Sequence, residues 1–483
     1  MDAASMAAPS INSKPFAIST YHSTNKRATL IPPWLSTKAN LLSLCASTSN
    51  PRNSVLYLTR CSTKPNTNTD NETDHQNSPF ESDSTPETSK QTARSSSEVT
   101  SSLQSSSSYN RGLVFGLGPT NSWDGAEIGS PVVKRFLSDE EERWYMWYYG
   151  RSNGNPGLDS IGLAVSRNGI HWERGGGPII SSEEAGMVMN CSKDWWAFDT
   201  EGIRPCEVVV MSSAKVRASS AVYWLYYTGC SSEKAEFSDN SLKFNLENPE
   251  RFCIDKPNGE NGGVEKISKS LPGLAISQDG RHWARIEAEH HSGALFDVGS
   301  EREWDSSFIA SPQVVFHGNG DLRMYYHSFD VQNGEFGIGI ARSRDGIKWV
   351  KLGKTMGGGG SGSFDELGVM NARIVRNRKD GKYLMAYEGI AADGGRSIGL
   401  AVSSNGLKDW RRFNDEAVLR PSVEEGWDKE GVGSPCLVQM DGDVDEWRLY
   451  YRGVGNGGRT GFGMAVSEGS DTRSFRRWTG FQL

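Results

Sequence analysis

The stretch Ile161–Trp172, which reads IGLAVSRNGIHW, decides the fold because it recurs along the chain. Similar stretches are PGLAISQDGRHW (272–283), IGIARSRDGIKW (338–349), IGLAVSSNGLKDW (398–410) and a shortened FGMAVSEG (462–469). Small and branched apolar residues lead into Asn-Gly or Asp-Gly, the dipeptides that supply the positive φ of a tight hairpin. Each full copy therefore predicts a third strand, a turn, and a fourth strand beginning near a tryptophan.

Two further strands precede each copy. The first follows an aromatic residue and an Asp and is usually led by Pro, in WDGAEIGSPVV, WAFDTEGIRPCEVVV, WDSSFIASPQVV, FDELGVMNARIV and WDKEGVGSPCLV. The second ends in or near paired tyrosines, in WYMWYYG, VYWLYYTG, LRMYYHS, KYLMAYEG and WRLYYRG. A single four-stranded sheet cannot bury both faces, whereas five sheets packed radially can. Residues 111–483 are therefore predicted to form an all-β, five-bladed β-propeller, with stacked β-sandwiches as the alternative.

The region before the repeats has a different composition. From Met1 to Thr69 the only acidic residue is Asp2, while lysines and arginines are scattered among serines and threonines. This is the composition of a transit peptide, and the sparse arginine favours the plastid over the mitochondrion. We predict a transit peptide over residues 1–65, a disordered Ser/Thr-rich acidic linker over residues 66–110, and a location in the chloroplast stroma.

Composition excludes several classes of protein. The 483 residues include 52 basic and 59 acidic side chains, for a net charge of -7, so nucleic acid is not a predicted partner. No run of 18 or more apolar residues occurs, and no membrane-spanning helix is predicted. The seven cysteines show no CxxC or Cys/His spacing, which predicts reduced thiols rather than a zinc site. We predict no metal and no cofactor.

The repeats resemble the five-bladed propeller glycosidases, the group of arabinanases, levansucrases and invertases, and most of all glycoside hydrolase family 43. The resemblance is carried by the SPxV, YYxG and IGxAxSxDGxxW elements, and it implies a carbohydrate or glycosylated substrate whose glycosidic bond is cleaved by two carboxylates. In that family the catalytic Asp residues stand directly before the Pro of an innermost strand. Here those positions hold Ser130, Arg204, Ser311, Asn371 and Ser434, so the family's carboxylates do not carry over.

Propeller topology brings the starts of the first strands and the ends of the second strands around one central mouth. The candidate catalytic carboxylates there are Glu388, Asp305, Asp124, Glu201 and Glu127, since glycoside hydrolysis needs a proton donor and a second carboxylate. Glu388 is the sharpest candidate, because the position after the tyrosine pair holds Gly150, Thr228, His327 and Arg452 in the other repeats. Its pKa would rise near an apolar wall and fall near Arg373 or Arg396. Asp124 and Asp305 belong to a set found in every repeat, and their alternative role is structural.

The candidate substrate-binding residues are Arg204, His327, Arg373 and Arg452, which could hold a hydroxyl, a carboxylate or a phosphate. Alternatively, the three arginines neutralise the charge of neighbouring carboxylates, and His327 is a hydrogen-bonded residue in the wall of the mouth. Residues 231–270 form an insertion predicted to overhang the mouth as a lid or a surface for a protein partner. Two functions are open: a glycosidase, or an inactive propeller that binds a glycan, a lipid head group or a protein. If every carboxylate at the mouth is paired with an arginine, the inactive binding propeller is favoured over the glycosidase.

Overall fold

The structure is a computed structural model that describes residues 110–137, 141–154, 158–175, 185–211, 222–237, 265–318, 320–413, 416–423, 425–441, 446–469 and 471–480. The predicted transit peptide, the linker up to residue 109 and the middle of the 231–270 insertion lie outside the described residues. Within the described ranges there are β-strands, one 3-10 turn (Asn456–Gly458) and no α-helix. The prediction of an all-β protein is therefore confirmed.

The strands form a leading strand and five repeated units. The leading strand is β1 (Leu113–Gly116). Unit 1 contains β2 (Glu127–Leu137), β3 (Glu142–Arg151), β4 (Asp159–Ser166), β5 (Glu173–Arg174) and β6 (Met187–Met189). Unit 2 contains β7 (Gly202–Met211), β8 (Val222–Phe237), β9 (Glu265–Ser277) and β10 (Ala284–Ile286). Unit 3 contains β11 (Ala310–Gly318), β12 (Asp321–Asp330), β13 (Glu335–Ser343) and β14 (Trp349–Met356). Unit 4 contains β15 (Gly368–Arg376), β16 (Tyr383–Ile390), β17 (Arg396–Ser403) and β18 (Arg411–Arg412). Unit 5 contains β19 (Gly431–Gln439), β20 (Trp447–Val454), β21 (Thr460–Glu468) and β22 (Asp471–Arg477).

Successive strands within each unit pair antiparallel, as the predicted hairpins require. Two parallel contacts join neighbouring units, from Asp159 in β4 to Gly202 in β7 and from Phe336 in β13 to Gly368 in β15. The third strand of one unit and the first strand of the next therefore begin at the same edge. Hydrogen bonding divides the strands among three sheets and does not close them into one.

The five first strands, β2, β7, β11, β15 and β19, meet around a common axis. Each contacts the next, and β19 contacts β2. One residue from each strand lines a narrow neck, formed by Ser130, Pro205, Ser311, Asn371 and Ser434. Two positions further on, the strands line a cavity with Val132, Glu207, Gln313, Arg373 and Cys436. Because the same positions meet at two successive levels, the five strands run in the same direction along the axis.

The neck coincides with a bulge in each first strand. In unit 1, Ser130 and Pro131 together oppose the single residue Tyr148, since the pairing passes from Gly129 to Val132. The first bulge residue has positive φ in four units, at 50° for Ser130, 51° for Ser311, 50° for Asn371 and 44° for Ser434. Positive φ is strained for residues other than glycine, and the proline in unit 2 cannot adopt it. The neck is therefore built from backbone that the surrounding sheet holds in place.

Side chains of the second strands fasten four of the five units to the next, and unit 4 has Ala386 at the equivalent position. In these four units the aromatic residue before the tyrosine that recurs in every second strand donates a hydrogen bond to the carbonyl of the turn glycine in the following unit. The donor and acceptor pairs are Trp147 with Gly280, Tyr226 with Gly346, Tyr325 with Gly406, and Tyr450 with Gly169. All four turn glycines have positive φ, as the sequence predicts. The last pair joins unit 5 to unit 1, and apolar clusters fill the interfaces between neighbouring units.

The fourth position of unit 5 is occupied by two separate pieces of chain. Strand β22 pairs with one half of β21, with Phe475 opposite Ser467, and β1 pairs with the other half, with Leu113 opposite Gly463. In unit 3 a single strand, β14, spans the equivalent length beside β13. Residues from before unit 1 therefore complete the edge of unit 5.

Candidate functional site

We call the face at which the first strands begin the mouth. The second strands end there, and the loops between second and third strands emerge there. The mouth residue of each second strand lies opposite the residue that precedes the bulge, as Glu388 does opposite Met370. The sequence-derived register differs from this geometry in two units.

In unit 1 the mouth residue is Tyr149 rather than Gly150. Gly150 packs against Trp123 and Asp124, as Gly229 packs against Phe198 and Asp199 in unit 2. The mouth series is therefore Tyr149, Thr228, His327, Glu388 and Arg452. The register was one residue wrong because Trp147 and Tyr148 of unit 1, and not Tyr148 and Tyr149, correspond to the tyrosine pairs of units 2, 3 and 5.

In unit 2 the prediction that Arg204 occupies the position of Ser130 is wrong. The bulge falls on Pro205 and Cys206, so Arg204 lies one position earlier and opposite the mouth residue Thr228. Proline marks the second bulge residue in units 1, 3 and 5, but the first in unit 2, and this shifted the alignment by one residue.

The aspartate found in every unit lies in the turn that leads into the first strand. Asp124 accepts hydrogen bonds from the Tyr148 hydroxyl at 2.9 Å, the Arg174 Nε at 2.7 Å and the Ser122 hydroxyl at 2.8 Å. The same tyrosine and cation contacts are made by Asp199 with Tyr227 and Arg285, Asp305 with Tyr326 and Lys351, Asp365 with Tyr387 and Arg412, and Asp428 with Tyr451 and Arg477. The structure thus places the candidates Asp124 and Asp305, 0% and 2% exposed, in these linking turns.

Glu127 lies at the mouth in a buried ionic network. It accepts hydrogen bonds from the Tyr149 hydroxyl at 3.0 Å, from Arg151 Nη1 at 3.0 Å and from Arg452 Nη2 at 2.9 Å. Because Arg452 belongs to unit 5 and Glu127 to unit 1, this candidate pair holds two neighbouring units together at the mouth.

The network continues from Arg151 into unit 2. Arg151 Nε donates to Asp159 at 2.6 Å, and Arg204 Nε donates to the other oxygen of Asp159 at 2.9 Å. The Arg204 guanidinium also stacks over the ring of Tyr149 at 4.6 Å. Burial and the adjacent Glu127 carboxylate raise the pKa of Tyr149, so its hydroxyl is a hydrogen-bond donor at neutral pH. Three arginines and two carboxylates thus form one chain of buried charge.

Glu388 is fully buried and held by three donors. Its oxygens accept from Arg396 Nη1 at 2.7 Å, Asn371 Nδ2 at 2.9 Å and the Ser434 backbone N–H at 2.9 Å. Burial alone would raise the pKa of Glu388, but Arg396 and the other donors stabilise the carboxylate, and the pKa lies below its ordinary value. Glu388 is therefore an ionised acceptor and not a proton donor.

His327, the neighbouring mouth residue, is buried and neutral. Burial, reinforced by Arg396 and opposed by Glu388, lowers its pKa to about 3. Its Nδ1 accepts a hydrogen bond from the Asn371 backbone N–H at 3.3 Å, while Nε2 has no partner among the described residues. His327 is therefore a buried residue in the wall of the mouth, and its Nε2–H is a hydrogen-bond donor without an acceptor among the described residues.

Two other candidates lie away from these groups. Glu201 is half-buried in the turn before β7, where its backbone N–H donates to Cys230 at 2.9 Å. Arg373 lies two positions beyond Asn371 along β15 and lines both the neck and the cavity beyond it, where its Nη1 approaches Glu207 Oε2 at 3.6 Å. The bulge places residues before it at the mouth and residues after it in the cavity beyond.

A cleft of about 220 Å³ opens at the mouth between units 4 and 5. Its lining residues are Glu388, Gly394, Arg396, Glu430, Gly431, Val432, Gly433, Arg452, Val454 and Gly458. Arg396 is partly exposed, with a side-chain exposure of 17%, and Glu430 is exposed at the rim. Gly458 is exposed and Gly394 is half-buried, so the cleft offers charged side chains and peptide groups to a hydroxyl-rich ligand.

Sequence reasoning missed an aromatic residue on the same face. Trp195 is 91% exposed and Trp196 38% exposed, at the centre of a turn closed by Ala197 N–H donating to the Asp194 carbonyl at 2.9 Å. The equivalent turns of units 1, 3 and 4 carry Thr120-Asn121, Glu301-Arg302 and Ser361-Gly362. A comparison of the repeats at this turn would have identified the tryptophan pair as specific to unit 2.

Within the described ranges, no cluster of His, Cys, Asp and Glu side chains is arranged to hold a metal ion. The part of the chain that the structure describes also has no helix long and apolar enough to cross a membrane.

No protein-family model matches the chain. Two uncharacterized proteins of Mycobacterium tuberculosis, MT1551 from strain CDC 1551 / Oshkosh and Rv1502 from strain ATCC 25618 / H37Rv, are each 31% identical over 220 residues. The match covers 44% of this chain and 65% of each relative, so it spans slightly less than two thirds of the relatives' length.

The solved structures similar to this chain include glycoside hydrolases and related proteins, all at low identity. A glycosyl hydrolase from Bacteroides ovatus is 16% identical with a TM-score of 0.46, covering 74% of this chain and 91% of that chain. An N-acetylgalactosamine deacetylase from F. plautii, in complex with blood group B trisaccharide, is 13% identical with a TM-score of 0.47 and coverages of 75% and 94%. A member of the GH130 family of mannoside phosphorylases, which contains hydrolases of β-1,2 mannosidic linkages, is 16% identical with a TM-score of 0.45 and coverages of 74% and 89%.

Proposed function

We propose that this chain is a five-bladed β-propeller that binds a carbohydrate at its mouth without hydrolysing it. The observation that carries the proposal is the state of two buried mouth carboxylates, Glu127 and Glu388. Glu127 and Glu388 are 4% and 0% exposed, and each is paired with arginine. Glycoside hydrolysis requires one carboxyl group that carries a proton near working pH, and the lowered pKa of Glu388 is the opposite condition.

Support for five blades comes from the ring of contacts among the first strands and from the hydrogen bond of Tyr450 to Gly169. This bond fastens unit 5 to unit 1 in the way that units 1 to 4 are fastened to one another. A radial arrangement of this kind lets each unit bury both of its faces against neighbours.

Support for a carbohydrate ligand comes from the accessible groups of the mouth face. The cleft between units 4 and 5 presents Arg396, Glu430 and glycine backbone, which suit hydroxyl groups. Trp195 presents nearly its whole indole ring to solvent, and an aromatic ring with an apolar face and a polar N–H suits the mixed surface of a sugar.

Replacing Trp195 with alanine is expected to weaken glycan binding at least tenfold, because the stacking surface is removed. The measurement is titration calorimetry with the strongest ligand from a printed array of neutral and acidic oligosaccharides. Val350, 66% exposed on β14, provides the control V350A, which should bind as the wild type does. Products of a long incubation, separated by chromatography, should show no cleavage. Absence of any glycan ligand, or reproducible cleavage by the pure protein, would contradict the proposal.

A second candidate function is hydrolysis across the cleft, with Glu388 as the ionised carboxylate and exposed Glu430 as the proton donor. It is favoured by one observation, that both carboxylates line the same cleft. If turnover were found, E430Q should abolish it and leave glycan affinity nearly unchanged. Turnover unaffected by E430Q would exclude this pair.

We further propose that residues 1–65 direct the chain to the plastid, on the composition of the segment from Met1 to Thr69. A fusion of residues 1–110 to a fluorescent protein, expressed in leaf protoplasts, should coincide with chlorophyll fluorescence. The same fusion lacking residues 1–65 should stay in the cytosol. Mitochondrial or cytosolic fluorescence of the full fusion would contradict the proposal.

A further inference from the structure

Beyond the neck, on the side away from the mouth, the axis widens into a cavity of about 300 Å³, here called the far cavity. Its walls are the later parts of the five first strands. Valines and other apolar residues contribute most of the lining, including Val133, Val209, Val315 and Val375. Nothing in the proposed function involves this cavity.

The polar residues of the far cavity differ from unit to unit. At the first level past the neck, units 2, 3 and 4 contribute Glu207, Gln313 and Arg373, and unit 1 contributes Lys134 two positions further on. Residues that vary among repeats at a position of fixed geometry are not needed to build the repeat. Their identities therefore point to a role of the cavity itself.

The single carboxylate of the cavity is already saturated by protein donors. Glu207 Oε1 accepts from Lys134 Nζ and from the Val208 N–H at 3.1 Å, and Oε2 accepts from Gln313 Nε2 at 2.9 Å. Arg373 Nη1 stands 3.6 Å from the same Oε2, beyond hydrogen-bond distance.

Arg373 Nη1 is buried and has no hydrogen-bond partner among the described residues. A buried donor of a charged group without an acceptor is costly, and the apolar wall offers it none. The arginine fork is suited to donate two parallel hydrogen bonds to the oxygens of one carboxylate or phosphate group.

The charges that line the far cavity are unbalanced. Lys134, Arg373 and Arg376 are positive and Glu207 is negative, so three positive charges less one negative charge leave a net charge of +2. Arg376 is exposed to solvent and Lys134 is paired with Glu207, so the buried donor of this set that lacks an acceptor is Arg373 Nη1. A buried water molecule could accept a hydrogen bond from Arg373 but would not compensate its charge. An anion does both.

We propose that the far cavity is a binding site for a small anion that carries a carboxylate or phosphate group. The oxygens of the anion accept hydrogen bonds from Arg373 and from Lys134, which is 34% exposed toward the opening. Glu207 acts as the internal counter-charge that the anion partly displaces from Lys134. This site is independent of the mouth and of glycan binding.

The test is titration calorimetry of the full chain with two probes, inorganic phosphate and succinate, at low ionic strength. We expect at least one probe to bind, with the dissociation constant raised at least tenfold in R373M. Removal of the competing carboxylate in E207Q should lower the dissociation constant several-fold. The exposed Arg411 on β18 provides R411M as a matched loss of one positive charge that should leave binding unchanged.

If only phosphate binds, the proposal is supported and the site prefers a phosphate group. If only succinate binds, the proposal is supported and the site prefers a carboxylate group. If R373M does not fold, as judged by circular dichroism, R373K keeps the charge without the fork and should give an intermediate loss. The proposal is overturned if neither probe binds, if the folded Arg373 variant binds as tightly as the wild type, or if E207Q weakens binding.

Discussion

Replacing Asp124 with alanine is expected to lower the free energy of unfolding by about 3 to 4 kcal/mol. The substitution leaves the Arg174 guanidinium and the buried Tyr148 hydroxyl without the acceptor that both now share. Removing one partner of a buried charge pair costs more than the pair contributes, because the remaining charge stays desolvated. Thermal unfolding should shift downward by roughly 4 to 5 °C for a domain of this size.

The control is D194A, which removes an exposed carboxylate from the turn that carries Trp195 and should change stability little. D124N retains an acceptor for Tyr148 and should lie between the two. The result also separates the two roles considered for this residue. Folded D124A protein of wild-type stability would contradict the structural role and return Asp124 to the list of chemically active acids.

Replacing Glu388 with glutamine is expected to lower the free energy of unfolding by about 2 to 3 kcal/mol at neutral pH. Glutamine has nearly the same shape, but it leaves the positive charge of Arg396 without its partner and replaces one acceptor by a donor facing Asn371 and Ser434. The partial exposure of Arg396, at 17%, keeps the expected loss at the lower side of the range for buried pairs.

The difference between wild type and E388Q should depend on pH. The folded-state pKa of Glu388 lies below its ordinary value of 4.5, so its stabilising contribution is complete above that value and is lost as pH falls through the folded-state pKa. Denaturant unfolding near neutral pH should show the full difference, and at about pH 3 the difference should shrink. A difference that grew on acidification would mean that the carboxyl is protonated in the folded protein.

The sequence was sufficient to predict the repeated units, because each carries its own turn chemistry. The glycines of the Asn-Gly and Asp-Gly turns have the positive φ that the pattern requires, and the strands on either side pair as expected. What the sequence did not reveal was the bulge in each first strand. Two residues oppose one there, so counting from Pro205 or from the tyrosines gave a register that was one residue wrong in units 1 and 2.

The candidate site was predicted less completely, because its ionic partners come from other strands. The sequence identified Glu388 because a carboxylate occurs at its position in one repeat only. The direction of its pKa shift depends on Arg396, which lies on the adjacent strand β17. The link from Glu127 to Arg452 spans two units at opposite ends of the repeat array. The cation that contacts each linking aspartate stands two residues after the aromatic residue of the fourth strand, as Arg174 follows Trp172. The sequence pattern shows this spacing, but it does not show that Arg174 bonds Asp124, which is 50 residues earlier in the chain.

The two-piece edge of unit 5 has a consequence for biosynthesis. Strand β1 is among the first described segments to leave the ribosome, yet its partner β21 lies more than three hundred residues later. Units 1 to 4 can pair internally as they emerge, whereas Leu113 and its neighbours must wait, exposed, until residues 460–468 have been made. Closure of unit 5 therefore cannot precede the synthesis of β21, and a chain stalled before unit 5 would present an unpaired strand edge that is prone to association with other chains.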